Sequence, residues 1–408
     1  MRKKVRVREG YPPSRFSLLG WVLTASAFQA LLALLMSKTS FFYGSTPPEN
    51  LFDDVHKYFI YASKALLGAI PYRDYGIEYP LLSFPLFFIP RLFTADFAVY
   101  RFLFGLEMLL WNGLALYLIA RYIQDREGFR RVPGRLAWFT LSFLLLCPLA
   151  IARYDLAPMA LAFASAVWWF SRKEAMGGIT AGVGALLKIF PAAAAAPAVF
   201  GEALKARQFR MRGTLAFALT LGMGAGLWLA IGGTAGILHS LQYHLGRGLE
   251  IGSLYSGALF LLAQLTGSWI SHQYSHSSEA LLTPWSNTVA GFTLPLQFLA
   301  MGFTLWRFAK SGIQDGVRYA GASVLAFLLT GKVLSPQYIL WLLPFIAVLE
   351  GKTGERARLL FLLICLATTA IYPWGFTALV NLEPWAFHLL NLRNLLLAAL
   401  WAILLFGK

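Results

Sequence analysis

Stretches of about 20 mostly apolar residues, the length that carries a helix across a hydrocarbon core, recur from one end of this chain to the other. Residues 16–36, 97–120 and 385–406 are examples, and roughly twelve can be counted. No water-soluble core of this size could hide so much apolar surface. Of 408 residues, 58% are hydrophobic and 13% charged, so a bilayer has to supply the missing partner. The expected class is an all-α polytopic membrane protein, a bundle of about 11–13 spanning helices forming one domain over residues 1–408.

The formal net charge of +16 would suggest nucleic acid in a soluble protein. Here the cations sit in short loops between apolar runs, the arrangement that sets membrane orientation, so anionic lipid is the expected partner and nucleic acid is not. The basic residues 1–6 and the long apolar run after them read as a retained first helix with a cytoplasmic N-terminus. Inward loops then fall at Arg121 to Arg135, at Arg172-Lys173, at Lys205, Arg207, Arg210 and Arg212, at Arg307, Lys310 and Arg318, and at Lys352, Arg356 and Arg358. The C-terminus is cytoplasmic too, as in a multi-pass protein of a bacterial inner membrane, and a monomer is expected. Cys147 and Cys365 lie in apolar runs, which excludes a disulfide framework or thiolate metal site.

Residues 39–95 form the first outer loop, too polar to cross, with 80–93 short enough to be re-entrant or interfacial. Residues 232–286 form a second outer region, in which 254–270 is expected to lie on the membrane surface. On this topology Asp53, Asp54, Glu78, Arg153, Asp155, Lys188, Arg247, Glu250 and Lys332 all fall at one face, and charge at membrane depth needs a partner or a task. For several of them a plain structural use exists. An Asp of the 53–54 pair could cap a helix. Arg153 and Asp155 could pair locally. Lys188 and Lys332 could snorkel to the interface. The functional reading is a carboxylate base beside an anion site built from several cations. His272 and His276 have i, i+4 spacing but lack the carboxylates of a metal site, and no Walker loop or dinucleotide fingerprint occurs. Ala192 to Ala196, between Pro191 and Pro197, suits close helix packing.

Asp54, Tyr58, Gly68, Pro71 and Tyr72, followed by Glu78-Tyr79-Pro80-Leu81, resembles the first outer loop of glycosyltransferase family 87, polytopic enzymes of the GT-C fold. The likeness continues in order with Arg153-Tyr154-Asp155 and Pro158, Lys188-Ile189-Phe190-Pro191, Arg247 to Ser253, and Ser335-Pro336-Gln337-Tyr338, covering about residues 50 to 345. It implies inverting transfer of a sugar, most often mannose, from a polyprenyl monophosphate to a hydroxyl of a lipid-linked or glycan acceptor outside the membrane. Arabinofuranose donors also occur among related enzymes. The family's spacing selects Asp54 as base over Asp53. Arg153, Lys188, Arg247 and Lys332 become the expected donor-phosphate ligands, and Tyr58, Glu78, Tyr79, Asp155, Glu250 and Gln337 the sugar or acceptor contacts. No metal or cofactor is expected, since the cations themselves meet the leaving phosphate. The sequence departs from the family at Gly252, where relatives often carry Glu before the Ser, and this leaves the acceptor open. A transporter or lipid flippase is the competing class, but it should carry matched broken helices through the midplane, and no internal repeat is visible.

Overall fold

A computed structural model describes residues 15–201, 204, 211–311 and 315–407. The basic run 1–6 and Lys205, Arg207 and Arg210 of an inward loop lie outside them. The first half comprises α1 (Arg15–Met36), α2 (Asp53–Leu66), α3 (Phe84–Arg91), α4 (Phe97–Glu127), α5 (Val132–Leu145), α6 (Leu156–Phe170), α7 (Glu174–Leu187) and α8 (Phe190–Ala196). The second half comprises α9 (Met211–Gly246), α10 (Leu254–Thr266), a hairpin of β1 (Ser271–Ser275) and β2 (Ser278–Leu282), α11 (Ser286–Lys310), α12 (Gly316–Leu329), α13 (Gly351–Thr369) and α14 (Pro384–Phe406). The all-α class holds, with the hairpin an addition that the Ser- and His-rich stretch did not announce.

Six helices among the described residues are long and apolar enough to cross a bilayer: α1, α4, α9, α11, α13 with its continuation to Trp374, and α14. The remaining apolar stretches are seven shorter helical segments of 10–17 residues, broken by Pro, Gly or a polar turn. The sequence count of about twelve therefore mixes two kinds of helix. In α9 and α11 only 11% of the apolar window is buried, so these helices turn most of their surface outward to lipid. By contrast α6 and α12 are buried along nearly their whole length. Short Ala- and Gly-rich helices thus form the interior, and long ones wrap it.

Small residues make that interior possible. A Cβ on Gly178 of α7 would collide with the Gly213 carbonyl of α9, and one on Gly182 would come within 2.7 Å of Thr220, so the two helices touch backbone to backbone. Ala193 to Ala196 are buried in α8, as their packing role required. Helix ends follow local chemistry. Asp96 accepts from Val99 N–H at the start of α4, and Ser253 accepts from Ser256 N–H at the start of α10. Gly267, at φ +66°, ends α10 in the left-handed conformation.

Residue 232, where the sequence reading began a second loop region, lies inside a helix. Helix α9 continues to Gly246 and bends at Gly233, whose φ of 62° and ψ of −172° break the helical path. Residue 232 is therefore at a bend rather than at a helix end. Gly232 and Gly236 form a notch for Tyr72, whose hydroxyl bonds the Tyr79 and Pro80 carbonyls at 3.0 and 3.1 Å. The run Pro71 to Tyr75 is thus a clamp that seats the segment between α2 and α3 on α9, with Tyr75 Oη bonded to the Tyr61 carbonyl at 2.7 Å.

Candidate active site

Asp53 and Asp54 open α2 in its first turn, where a negative charge meets the positive end of the helix dipole. Neither is its N-cap: Phe52 holds that position, and no side chain bonds across it. Asp53 is half-exposed and pairs with Lys57 at 2.6 Å, one helical turn on. Asp54 points inward. Its Oδ2 lies 2.8 Å from Arg153 Nε, and its Oδ1 lies 3.7 Å from Lys57 Nζ. Arg153 also donates to the Leu51 and Ala152 carbonyls, each at 2.7 Å, which fixes the guanidinium against the start of α2.

The local Arg153 and Asp155 pair that adjacency suggested does not form. The two residues diverge where the chain enters α6, and each takes a distant partner. Asp155 is fully buried, and its Oδ1 accepts from Lys188 Nζ at 2.7 Å and from Trp341 Nε1 at 2.6 Å. Lys188 does not snorkel. Its ammonium sits among three rings, 4.7 Å from Tyr154, 5.2 Å from Tyr338 and 5.3 Å from Trp341. It occupies the break between α7 and α8, where Pro191 prevents one continuous helix. Aromatic faces and one carboxylate can hold a cation in a fixed direction with little lysine stem left to flex.

Tyr58 is buried, stacked on Phe87 at 4.0 Å and edge-on to Tyr79 and Tyr154 at 5.6 and 5.9 Å. It belongs to the aromatic floor beneath Asp54, together with Tyr79, rather than to an open wall. Glu78 accepts from Tyr61 Oη at 2.6 Å, and its carbonyl meets Ser240 Oγ at 2.8 Å and His244 Nε2 at 3.0 Å. His244 in turn lies within electrostatic reach of Arg247, Lys188 and Lys332. Lys188 is within reach of Asp54 and Arg153. Carboxylates at the start of α2 and cations from three distant loops thus converge.

Arg247 is half-buried, and its Nε is free of a hydrogen-bond partner. Burial opposes its charge, but Tyr338 and Glu250 more than offset this and hold it above its ordinary value. Lys332 reaches the Leu245 carbonyl at 2.9 Å, and burial together with Arg247 pushes its ammonium down. Gln337 lies half-buried in the 3-10 turn Pro336–Leu342. Glu250 faces the protein. Its carboxylate accepts from Leu334 N–H at 2.6 Å and Ser335 Oγ at 2.7 Å, so its sugar or acceptor role gives way to a turn lock. Asp155 is likewise shut off from any sugar by Lys188 and Trp341.

Several participants escaped the sequence reading. Trp341 follows Tyr338 by one turn, a spacing that could have flagged it. Arg393 is fully buried in α14 and donates to the Gly252 carbonyl, though it read as one more scattered cation. A Cβ at Gly252 would meet the Leu334 carbonyl at 3.1 Å, so the departure at this position fits a tight turn. Lys57, one turn after Asp53, is another such participant. Among the described residues no cluster of three or more metal-ligating side chains occurs. His272 instead faces Glu279 across the hairpin at 3.0 Å. An apolar groove between α1 and α5, lined by Trp21, Phe28, Leu136 and Leu141, lies away from all these charges.

The chain matches no protein family and no curated protein. Among solved structures it is similar to ArnT from Cupriavidus metallidurans bound to undecaprenyl phosphate, at 11% identity and a TM-score of 0.49, over 94% of this chain and 77% of that one. It is similar also to the apo state of that protein, at 13% identity and a TM-score of 0.45, over 95% and 78%.

Proposed function

We propose that this chain is an inverting glycosyltransferase of the GT-C type. In this reading it moves a sugar, mannose first among candidates, from a polyprenyl monophosphate to a hydroxyl of a lipid-linked or glycan acceptor. The work is done at the outer face of a bacterial inner membrane, with both termini inside. The carrying observation is that Asp54 is held at 2.8 Å by Arg153, while the Lys188 ammonium lies 4.7 Å from the ring of the adjoining Tyr154 and 5.2 Å from that of Tyr338. The motif order shared with family 87 supports the same assignment.

The chemistry balances with these groups alone. The acceptor hydroxyl gives its proton to Asp54 as its oxygen attacks the anomeric carbon from the face opposite the phosphate. The carbon–oxygen bond to phosphate breaks, and the electron pair leaves on the phosphate. A positioned base is worth about 10²- to 10⁴-fold. A carboxylate has about four lone-pair sites, so Asp54 can keep Arg153 and still receive a hydroxyl. Lys188 and Arg247 stabilise the phosphate charge as it develops, and this reading assigns no cofactor. The lipid tail of the donor explains why the catalyst is built from membrane helices.

The test uses purified protein in vesicles with labelled polyprenyl-phosphate mannose and a membrane-lipid acceptor fraction. Release of polyprenyl phosphate with label in a new glycolipid is the expected result. Translocation of intact donor without cleavage would make the chain a transporter and overturn the reading. The same assay with an arabinofuranose donor decides the sugar.

A further inference from the structure

The β1–β2 hairpin is rooted and docked at different places. Strand β2 pairs along its length with the turn that follows Arg247 and carries Glu250: Ile251 N–H donates to the Glu279 carbonyl at 2.8 Å and Leu281 N–H to the Leu249 carbonyl at 2.9 Å. Its tip is the pair His276 and Ser277, both at positive φ of 50° and 54°, which closes a two-residue turn. That tip crosses to two other elements. The His276 carbonyl accepts from Tyr243 Oη at 2.5 Å, near the end of α9, and Ser277 Oγ accepts from Lys57 Nζ at 2.8 Å, on α2.

Lys57 is where tip and carboxylates meet. An ammonium has three N–H donors, and this one is shared between Asp53 at 2.6 Å, Ser277 at 2.8 Å and the more distant Asp54 at 3.7 Å. With the tip docked, Ser277 and Asp53 hold the ammonium where Asp54 Oδ1 stays 3.7 Å away, beyond hydrogen-bond distance. We propose that Lys57 is a positioning residue that couples the hairpin to Asp54: docking of Ser277 keeps the ammonium off Asp54, and undocking lets it hydrogen-bond there and quench the carboxylate. The consequence for transfer rests on Asp54 being the base; the mechanical coupling does not. Burial disfavours the Lys57 charge, but Asp54 and Asp53 more than offset it, so the ammonium persists at neutral pH; Tyr274 is the other titratable group in reach. Acceptor hydroxyls are activated when the tip is down.

The experiment measures deuterium uptake of residues 271–282 in the full chain in vesicles, together with transfer kinetics, for wild type, Ser277→Ala, Lys57→Met and the double variant. A hydrogen bond to a charged group contributes enough that its loss should speed exchange of the hairpin roughly ten-fold in Ser277→Ala. Lys57→Met should speed it equally, with no further increase in the double variant. In kinetics, Ser277→Ala should lower kcat several-fold with donor KM unchanged, and should have no effect once Lys57 is Met. Additive effects of the two substitutions, or a hairpin indifferent to Lys57→Met, overturn the coupling. If instead Asp54→Asn proves fully active while the exchange pattern holds, the base assignment fails and the coupling stands.

Discussion

Arg153 Nε and Asp54 Oδ2 lie 2.8 Å apart, while Asp155, two residues beyond Arg153, turns away to Lys188 at 2.7 Å. One short stretch of chain thus delivers a cation to α2 and an anion to the break between α7 and α8. The two pairs are coupled through a common backbone, and their consequences can be separated by substitution.

Asp54→Asn should leave a folded protein whose transfer rate falls by about 10²- to 10⁴-fold, the worth of a positioned base. Arg153 keeps its bonds to the Leu51 and Ala152 carbonyls in that variant, which limits the structural damage. Asp53→Asn, at a half-exposed position, should stay within a few-fold of wild type. Transfer assays alongside thermal unfolding in detergent check both, and equal losses in the two variants would remove the distinction between them.

Asp155→Asn leaves the Lys188 ammonium among rings without its carboxylate. Breaking a buried pair on one side costs about 3–5 kcal/mol, so the unfolding midpoint should drop sharply. The double variant Asp155→Asn, Lys188→Met removes both charges and should recover much of that stability while staying inactive. A double variant no more stable than the single would show that the pair is not the main term.

Arg247→Gln should raise donor KM by roughly ten-fold, the effect of about 1.4 kcal/mol of lost phosphate binding. Tyr338→Phe, which removes a hydroxyl that supports the Arg247 charge electrostatically, should act in the same direction and less. Steady-state kinetics with varied donor measure this. A change in acceptor KM alone would place Arg247 elsewhere in the reaction.

Burial raises the Glu250 carboxyl above the usual carboxylate range, against the opposing pull of Arg247, Ser335, the Leu334 N–H and Arg393. A folded-state pKa above the unfolded one means that the fold binds the extra proton. The associated stability is full below the unfolded value and is lost as pH rises through the folded value. Wild-type protein should therefore lose more of its thermal midpoint than Glu250→Gln between pH 4 and pH 8. Parallel curves would refute this. Transfer activity should survive Glu250→Gln, because the amide can still accept from Leu334 and donate to Ser335.

What the sequence discloses divides along a physical line. Apolar length and loop charge are local properties, so α1, α4 and α14 could be drawn from the letters. Pairing is not local. Arg153 and Asp155 look like partners because they are neighbours, and only the geometry of entry into α6 sends them apart. The hairpin was hidden because its tip, His276 and Ser277, uses left-handed residues without the Gly or Asn that usually announces such a turn. Arg393 was hidden by its apolar surroundings in α14, where its partner is a carbonyl of a distant loop.

The interior of short helices puts an order on how the protein is made. Helices α6, α7 and α12 have 15, 14 and 14 residues, less than the roughly 20 that hold a segment across a bilayer unaided. Emerging from the ribosome, each enters the membrane only in company, and the longer helices on either side must carry it. Until α12 and the segment bearing Trp341 have been synthesised, Asp155 has half of its eventual shell. The chain therefore reaches a state fit to leave the insertion machinery late in translation. A chain halted before residue 341 lacks the indole N–H that Asp155 Oδ1 accepts, and leaves Lys188 as its one charged partner there.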